Sequence, residues 1–362
     1  MVVCTPWACT LLPSEFADAP APAVTSFLTA DRLAQAGHAA EHAAGNSHDT
    51  RRLRLFSGTS NQDLAREIGA YLGVPDGPRV IKRFADGETY IQIQESIRGC
   101  DVFLIQPTCA PVNDHLMELL IMVDAGKRAS ARQVTAVIPY YGYARADRKT
   151  AGRESITAKL VANLLTKSGV DRVLAMDLHS SQIQGYFDIP CDHIFGSPVL
   201  VDYLRTRDLG ELVVVSPDVG GVARARAFAK QMNDAPLAII DKRRSGHNVA
   251  ESLTVIGDVT GKTAVLIDDM IDTGGTICQG AKLLRRCGAA RVLCCATHAV
   301  FSPPAMERLS EPGLFEKVVV TNSIPLPPDR HFPQLRVLSI ATMLGEAIWR
   351  IHEESSVSSM FR

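Results

Sequence analysis

Short runs of consecutive apolar residues alternate, from residue 54 onward, with segments that carry apolar residues at helical spacing. Continuous apolar runs of this length are typical of parallel β-strands, which are buried on both faces of a sheet. A helix is predicted over 62–72, and further helical segments separate most of the runs. The pattern therefore predicts an α/β fold with mainly parallel sheets flanked by helices. The predicted strands are 55–61, which ends in a polar turn, 101–106, 134–139, 172–176, 212–216, 237–240, 263–267, 291–296, 317–321 and 335–340.

Two similar halves are visible along the chain, whose length of 362 residues is typical of two domains. In each half an apolar strand, near 103–108 and near 265–269, leads into a helix and then into a further strand. Many strand–turn–helix–strand units share this pattern, so duplication and coincidence both stay open. The halves are predicted to join near Ser197 and Pro198. The predicted units are an N-terminal extension at 1–50, a first domain at 51–197, a second domain at 198–340, and a C-terminal helix and tail at 341–362.

The composition indicates a globular enzyme, with 46% hydrophobic and 21% charged residues. A net charge of −1 gives no support for bulk binding to nucleic acid or to an anionic membrane, so any phosphate must be recognised locally. No apolar run reaches the roughly 18–20 residues that a membrane-spanning helix needs. The nine cysteines have no C-x-x-C spacing, which predicts a reducing compartment and no disulfide framework.

The first fifty residues differ from the remainder because they are rich in Ala, Pro, Ser and Thr and contain no strand pattern. A transit peptide is one interpretation, but this segment has several acids, and Arg32 is its single Arg or Lys. A disordered or weakly helical tail fits equally well. We therefore expect a cytoplasmic protein, with a plastid location as the alternative if residues 1–50 are a transit peptide.

The segment 264–276 carries the strongest chemical signal, because an apolar strand runs into two acids, a glycine turn and a helix. Carboxylates of Asp268 and Asp269 at the end of a strand can accept hydrogen bonds from sugar hydroxyls or reach a metal. Gly274 and Gly275 allow close backbone approach to an anion, and the following helix N-terminus favours negative charge. The segment therefore predicts a site for a phosphorylated sugar. The alternative is a solvated acidic turn between a core strand and a surface helix.

Basic side chains form two further candidate clusters. A loop after the strand at 134–139 contains Arg145 and three more cations, which suits a flexible cover for a polyphosphate or an ordinary charged surface loop. Lys242 and Arg244 are two residues apart, so in extended backbone they share a face. Two cations on one face suit a diphosphoryl group in a charged transition state, and a basic hairpin tip is the alternative.

Oxygen and nitrogen ligands occur after two other predicted strands. Asp177 and His179 follow one strand, and a histidine beside carboxylates can ligate a cation or donate to a phosphate. Asp218 precedes two glycines after another strand, where it can hold Mg²⁺ or cap a helix. The turn Asp86-Gly87-Glu88 is a weak signal alone, since Asp-Gly usually marks a turn.

Together and in this order, these segments resemble the ribose-phosphate diphosphokinases, also called phosphoribosyl pyrophosphate synthetases. The resemblance covers roughly residues 54–355, and the string from Tyr143 to Lys149 is similar to cyanobacterial and plant members. It implies two type I phosphoribosyltransferase-like domains and transfer of a diphosphoryl group from ATP to the 1-hydroxyl of ribose 5-phosphate. It also implies Mg²⁺ as cofactor, phosphate as activator and a homohexamer of dimers, with no nucleic-acid or membrane partner.

The resemblance assigns roles position by position. The catalytic cations are Lys242 and Arg244. The residues matched to ATP binding are Asp86, Gly87, Glu88, Arg145 and Ala146, the last standing where many family members have Gln. Those matched to ribose 5-phosphate are Arg244, Asp268, Asp269, Asp272, Thr273, Gly274, Gly275 and Thr276. Those matched to the metal are His179, Asp218, Asp177, Asp188 and Asp192.

Two other functions compete with this interpretation. A salvage phosphoribosyltransferase would share the acidic loop but would lack the Asp177–His179 string and the long basic loop. A non-catalytic regulatory subunit could keep the fold and lose the catalytic cations, whereas Lys242 and Arg244 are present here.

Overall fold

The computed structural model describes residues 52–243 and 252–361, and at Lys242, Arg243 and Ser252 it describes the backbone. The predicted N-terminal extension at 1–50 and the predicted catalytic Arg244 lie outside these residues. The strands are β1 (Leu53–Ser57), β2 (Arg79–Arg83), β3 (Thr89–Ile93), β4 (Asp101–Ile105), β5 (Gln133–Ile138), β6 (Arg172–Met176), β7 (Cys191–Ile194), β8 (Leu212–Ser216), β9 (Leu237–Arg243), β10 (Ser252–Ile256), β11 (Thr263–Ile271), β12 (Arg291–Ala299), β13 (Lys317–Thr321) and β14 (Leu335–Leu338).

Helices separate most of these strands. The α-helices of the described residues are α1 (Gln62–Leu72), α2 (Val112–Arg128), α3 (Thr157–Ser168), α4 (Ser197–Arg205), α5 (Val222–Gln231), α6 (Gly275–Arg286), α7 (Ala305–Leu309) and α8 (Ala341–His352). Short 3-10 helices span Ser181–Tyr186, Pro328–Arg330 and Val357–Phe361. No helix in residues 52–243 or 252–361 combines the length and the apolar character needed to cross a bilayer.

Two sheets organise the chain. The first has five parallel strands in the order β1-β4-β5-β6-β7, and the second has seven in the order β10-β9-β8-β11-β12-β13-β14. β10 is antiparallel to β9, and the other neighbours in the second sheet are parallel. β2 and β3 form a separate antiparallel ribbon. The predicted fold class is confirmed, since both sheets are mainly parallel and flanked by helices.

A single hydrophobic cluster joins the two sheets. It contains one face of each sheet together with apolar residues of α1, α4, α5 and α8, so these helices lie between the sheets. The outer face of the first sheet packs on α2 and α3, and that of the second packs on α6 and α7. The result is five layers in which one helical layer serves both halves. This shared layer fixes how the strand ends of one half meet those of the other.

The pair α1 and α8 shows how the shared layer is held. α1 begins after Asn61, whose side chain accepts a hydrogen bond from the backbone of Leu64, and it ends at Gly73 in a left-handed conformation. The hydroxyl of Tyr71 in α1 donates to Glu346 in α8 at 3.0 Å. The C-terminal helix is therefore anchored to the first helix of the opposite half.

The strand predictions are confirmed where burial is complete on both faces. Apolar runs predicted β4, β5, β6, β8, β11, β12 and β13 to within a few residues, and α1 matches its predicted bounds. The sequence pattern missed β2, β3, β7 and β10, which are short or partly exposed. β11 continues to Ile271 because it pairs with β12 beyond the predicted end, so the acid pair lies inside the strand.

Candidate active site

The order in which the chain adds strands to the second sheet reverses between β8 and β11. From β8 the chain adds β9 and β10 on one side, and from β11 it adds β12 to β14 on the other. Open α/β sheets bind ligands at such a switch point, beyond the carboxyl ends of the strands. β11 pairs with β8 from Thr263 to Leu266 and with β12 as far as Ile271. The two central strands therefore part after Leu266, and Asp268 and Asp269 lie where they part.

The acid pair contacts basic side chains from two other elements. Arg224, in the first turn of α5, places Nη1 3.0 Å from an oxygen of Asp268 and 3.1 Å from an oxygen of Asp269. His179, which follows β6 in the other half, has Nδ1 2.8 Å from the second oxygen of Asp269. The Asp269 side chain is only 2% exposed. A buried carboxylate of this kind is stable only with such partners.

Electrostatics shift the pKa values of the two acids in opposite directions. Burial and the neighbouring Asp269 charge raise the pKa of Asp268 to about 8. Burial also opposes ionisation of Asp269, but the hydrogen bond with His179 and the charge of Arg224 hold its pKa well below the usual range. The hydrogen bond to Asp269 raises the pKa of His179. The two carboxylates therefore favour sharing one negative charge, and a protonated Asp268 can donate a hydrogen bond as well as accept one.

The turn between β11 and α6 has the geometry of an anion site. Gly274 has φ of +71° and precedes the first residue of α6, Gly275. The first N–H groups of an α-helix have no partner inside the helix and point along its axis. Arg308 of α7 donates to the carbonyl of Thr273 at 3.0 Å, which secures the turn from outside. Thr276 is exposed in the first turn of α6, where its hydroxyl can reach the same anion.

Asp272 connects this turn to the first half. Its carboxylate pairs with the guanidinium of Arg145, whose side chain is 56% exposed. Burial opposes ionisation of Asp272, but the nearby Ser302 side chain and the Arg145 guanidinium lower its pKa overall. Ala146, next to Arg145, contributes backbone bonds to Tyr143 and Ala158. The predicted ATP loop and the predicted phosphate turn are thus in direct contact.

Asp218 lies on the loop between β8 and α5, beside the acid pair in the sheet order. Its Oδ1 accepts a hydrogen bond from the backbone N–H of Gly221 at 2.7 Å, so it shapes the turn before α5. The residue is exposed. Both sequence interpretations of Asp218, a helix cap and a cation ligand, are compatible with this position.

The other three predicted metal residues make different contacts. Asp177 bonds to Gly196 and to Thr297 of the second half. Asp188 lies 3.8 Å from Lys159, and Asp192 lies 2.6 Å from Arg172 on the neighbouring strand. Within residues 52–243 and 252–361, no three His, Cys, Asp or Glu side chains form a group able to hold a metal by themselves.

The predicted adenine turn lies apart from these contacts. Asp86, Gly87 and Glu88 form the exposed tip of the β2–β3 ribbon, where Gly87 has φ of +96° and Glu88 donates its N–H to Asp86. The backbone of Lys242 belongs to β9, next to β8 in the second sheet. Ile239 of β9 is in register with the last residue of β8, so Lys242 follows at the same sheet edge as Asp218.

Sequence reasoning did not single out several residues of the site: Arg224, Thr297, His298, Ser302 and Arg308. Arg224 lies six residues beyond Asp218 and three beyond the second of the two glycines that follow it, and its charge at a helix N-terminus was a usable signal. An arginine there is unfavourable for the helix dipole, which indicates an acidic partner nearby. The others come from distant parts of the chain and have no local signature.

Two mainly parallel sheets, with an acid pair and an anion turn at the switch point, define a type I phosphoribosyltransferase-like protein. Residues 53–169 match the model of the N-terminal domain of ribose phosphate pyrophosphokinase, and residues 244–362 match the phosphoribosyl synthetase-associated domain. The chain therefore belongs to the ribose phosphate pyrophosphokinase family.

Individual relatives are similar over nearly the whole chain. The ribose-phosphate pyrophosphokinase of Parasynechococcus marenigrum (strain WH8102) is 82% identical over 94% of this chain and 100% of that relative. That of Synechococcus elongatus is 76% identical over 87% of this chain and 95% of the relative. The crystal structure of phosphoribosylpyrophosphate synthetase from Mycobacterium smegmatis aligns with a TM-score of 0.80 at 46% identity, covering 84% of this chain and all of that one.

Proposed function

We propose that this chain transfers the β,γ-diphosphoryl group of ATP to the 1-hydroxyl of ribose 5-phosphate. The products are 5-phosphoribosyl 1-diphosphate and AMP, which serve nucleotide biosynthesis. One observation carries the proposal. The acid pair and the anion turn follow each other on β11 and α6, and Arg145 reaches the turn from the opposite half.

The sugar phosphate fits the second half. Thr273, Gly274, Gly275 and Thr276 present hydroxyls and backbone N–H groups to the 5-phosphate, with Asp272 setting the turn. The acid pair lies on the strand that leads into this turn, so it can accept hydrogen bonds from ring hydroxyls when the phosphate is seated. This arrangement leaves the 1-hydroxyl as the reacting group.

The nucleotide fits the opposite side of the crevice, the space beyond the carboxyl ends of β8 and β11 that Arg145 also reaches through Asp272. Arg145 is bound to Asp272, and an arriving triphosphate offers the guanidinium a stronger anionic partner. The basic loop then covers the phosphates and excludes water, which would otherwise compete with the sugar hydroxyl. Ala146 has no side-chain hydrogen bond to offer, so it contacts the nucleotide through its backbone if at all. Asp86, Gly87 and Glu88, on an exposed ribbon tip, suit an adenine contact made to a neighbouring subunit.

The residues present fit Mg²⁺, which prefers oxygen ligands and usually takes only one or two carboxylates besides water and phosphate. Asp218 is an exposed carboxylate beside the crevice. His179 uses Nδ1 for Asp269, an arrangement that commonly leaves the other ring nitrogen for a metal or a phosphate. We propose these two as the holding residues. Bound Mg²⁺ would supply positive charge to the diphosphoryl group. Asp188 and Asp192 instead form ion pairs with Lys159 and Arg172.

The chemistry is in-line displacement at the β-phosphorus: the 1-hydroxyl oxygen forms the new P–O bond, the bond from the β-phosphorus to the α–β bridging oxygen breaks so that AMP leaves, and the hydroxyl proton is released to solvent. Asp268 and Asp269 orient the sugar, and the basic loop holds the leaving AMP away from water. Lys242 and Arg244, assigned from the resemblance, stabilise the negative charge that develops on the transferred group. No covalent enzyme intermediate is required.

Gly274 provides a test of the phosphate turn. Alanine in the left-handed conformation costs roughly 1–2 kcal/mol, and its Cβ would meet only ordinary contacts, 3.6 Å from Ala305. We expect Gly274→Ala to raise the KM for ribose 5-phosphate about tenfold, which corresponds to about 1.4 kcal/mol. Gly261→Ala is the matched control, since Gly261 has φ of +73° with no atom within 4 Å of the added Cβ. Equal KM values in both variants would remove the turn from the sugar-phosphate site.

An activity assay separates this function from its nearest rival. The protein is incubated with ATP, Mg²⁺ and ribose 5-phosphate, and we expect AMP and the diphosphorylated sugar in equal amounts. A salvage phosphoribosyltransferase would release no AMP from this mixture. It would instead consume 5-phosphoribosyl 1-diphosphate in the presence of a free base.

Assembly and activation are further parts of the proposal. We propose a homohexamer built from dimers, in which the tip of the β2–β3 ribbon reaches the ATP site of a neighbouring subunit. We also propose that phosphate activates the enzyme. The exposed aromatic rings of Phe84 and Tyr90 beside the tip support a protein contact there. Sedimentation of the active enzyme, with and without phosphate, tests both points. A fully active monomer would contradict the assembly.

The cellular location of the protein depends on the role of residues 1–50, which lie outside the described residues. We propose a cytoplasmic enzyme, with the plastid as the alternative. A fluorescent protein fused behind residues 1–50 should stay in the cytoplasm of a plant cell. Import into plastids would establish the alternative.

A further inference from the structure

We infer that Asp177, Thr297 and His298 form a polar bridge that joins the two halves of the chain beside the acid pair. The bridge positions His179 on Asp269, and Asp177 serves the reaction as a positioning residue and not as a ligand of Mg²⁺. This inference rests on the proposed function, because it assigns a task to residues at the same site.

The bridge begins at a strained residue. Asp177 follows β6 directly and has φ of +38°, a region that non-glycine residues seldom adopt. Such a conformation persists only when the surrounding contacts hold it. Asp177 donates its N–H to Ile194 and sends its carboxylate and its carbonyl toward the second half. The strain therefore indicates that these contacts determine the backbone conformation of Asp177.

One oxygen of the Asp177 carboxylate is occupied by two donors. Oδ2 accepts from the backbone N–H of Gly196 at 2.8 Å and from the hydroxyl of Thr297 on β12. A Cβ on Gly196 would lie 2.9 Å from the Thr297 hydroxyl and 3.1 Å from Oδ2, so glycine is needed for this approach. An oxygen with two donors has little capacity left for a cation. The geometry thus favours a bridging carboxylate.

The carbonyl of Asp177 makes the second connection. His298 is buried, with Nε2 3.2 Å from that carbonyl and Nδ1 2.9 Å from the hydroxyl of Ser323. Since a carbonyl only accepts, Nε2 carries a proton, and Nδ1 lies against the Ser323 hydroxyl, which also donates to the carbonyl of Thr297 at 3.0 Å. The ring is therefore held at both nitrogens. It links the backbone of β12 to the residue that follows β6.

The bridge lies next to the contact that it positions. Met270 of β11 is in register with His298 of β12, so Asp269 and Thr297 occupy neighbouring positions on adjacent strands. His179 is two residues beyond Asp177 and reaches Asp269 at 2.8 Å. The short segment after β6 is thus tied to two strands of the other half. Loss of the Thr297 hydroxyl would loosen this segment without touching the substrate residues.

Thr297→Val tests the bridge, because it removes the hydroxyl and keeps the shape. We expect kcat to fall about tenfold with little change in KM, since small displacements near reacting groups have effects of this order. Thr297→Ser should restore kcat. Thr263→Val is the matched control: Thr263 is equally buried and bonds through its hydroxyl to Leu209 at 2.6 Å, at the opposite end of β11. Equal kcat values for Thr297→Val and Thr263→Val would overturn the bridge.

Asp177→Asn tests the choice between bridge and ligand. Asparagine keeps an acceptor oxygen for Gly196 and Thr297 but loses the negative charge that a Mg²⁺ ligand supplies. We expect the Mg²⁺ concentration for half-maximal activity to stay at the wild-type value. A requirement raised about tenfold would assign Asp177 to the metal and overturn the inference.

A measurement independent of activity separates this inference from the proposed function. Hydrogen exchange followed by mass spectrometry should show faster exchange at 177–179 in Thr297→Val than in Thr263→Val. Unchanged exchange there would refute the bridge even in an active enzyme. Faster exchange supports the bridge even if the wild-type protein makes no 5-phosphoribosyl 1-diphosphate, in which case the proposed function fails alone.

Discussion

Replacing Lys242 with alanine should lower turnover about 100-fold, as expected for removal of one preorganised charge donor. Its backbone lies near the end of β9, at the sheet edge where Asp218 follows β8. The transferred diphosphoryl group gains negative charge in the transition state, and an ammonium group beside it would stabilise that state more than bound ATP. Steady-state kinetics with saturating ATP, Mg²⁺ and ribose 5-phosphate measure the effect as a fall in kcat.

Lys262→Ala is the matched control for this variant. Lys262 bonds to Asp258 at 2.8 Å and lies just before β11, at the end of the sheet opposite the crevice. Its replacement should leave kcat at the wild-type level. Turnover of Lys242→Ala close to that of Lys262→Ala would contradict the catalytic assignment of Lys242.

Asp269→Asn should have an effect of at least similar size, by roughly 100-fold or more in kcat/KM for ribose 5-phosphate. The carboxylate is buried and binds Arg224 and His179, and an amide cannot satisfy both donors. Breaking such a buried pair costs roughly 3–5 kcal/mol, so the free energy of unfolding should also fall. Kinetics and denaturant titration of the same preparation measure the two effects.

Asp101→Asn separates catalysis from stability in this prediction. Asp101 is likewise buried and likewise binds an arginine and a histidine, Arg132 and His352, but it lies at the start of β4, away from the strand ends that form the crevice. It should lose comparable stability and keep the wild-type turnover of folded protein. Should both variants lose the same activity per folded molecule, Asp269 would have no special role.

The sequence predicted the elements whose burial is uniform. β4, β8 and β11 are continuous apolar runs, and their period and length leave little choice of structure. β10 was missed because it is an antiparallel strand at a sheet edge, and the β2–β3 ribbon because its residues are half exposed. Their pairing depends on neighbours that a local pattern does not specify.

The same distinction applies to the site. The acid pair and the glycine turn are contiguous in sequence, so one string of residues revealed them. The partners of the acids are distant: Arg224 is 44 residues from Asp268, and Thr297 is 120 residues from Asp177. Only the packing of both sheets on one helical layer brings such residues together. The family resemblance grouped Asp192 with His179 as metal residues, whereas in the structure the side chain of Asp192 pairs with Arg172.

The central claim is that a sugar hydroxyl meets the β-phosphorus of ATP in the crevice between the two halves. ATP labelled with ³²P at the γ-position tests it most directly, with Mg²⁺ and ribose 5-phosphate present and all products separated. We predict unlabelled AMP and a labelled 5-phosphoribosyl 1-diphosphate in equal amounts. Formation of ADP, or labelled inorganic phosphate that does not depend on the sugar, would contradict the account.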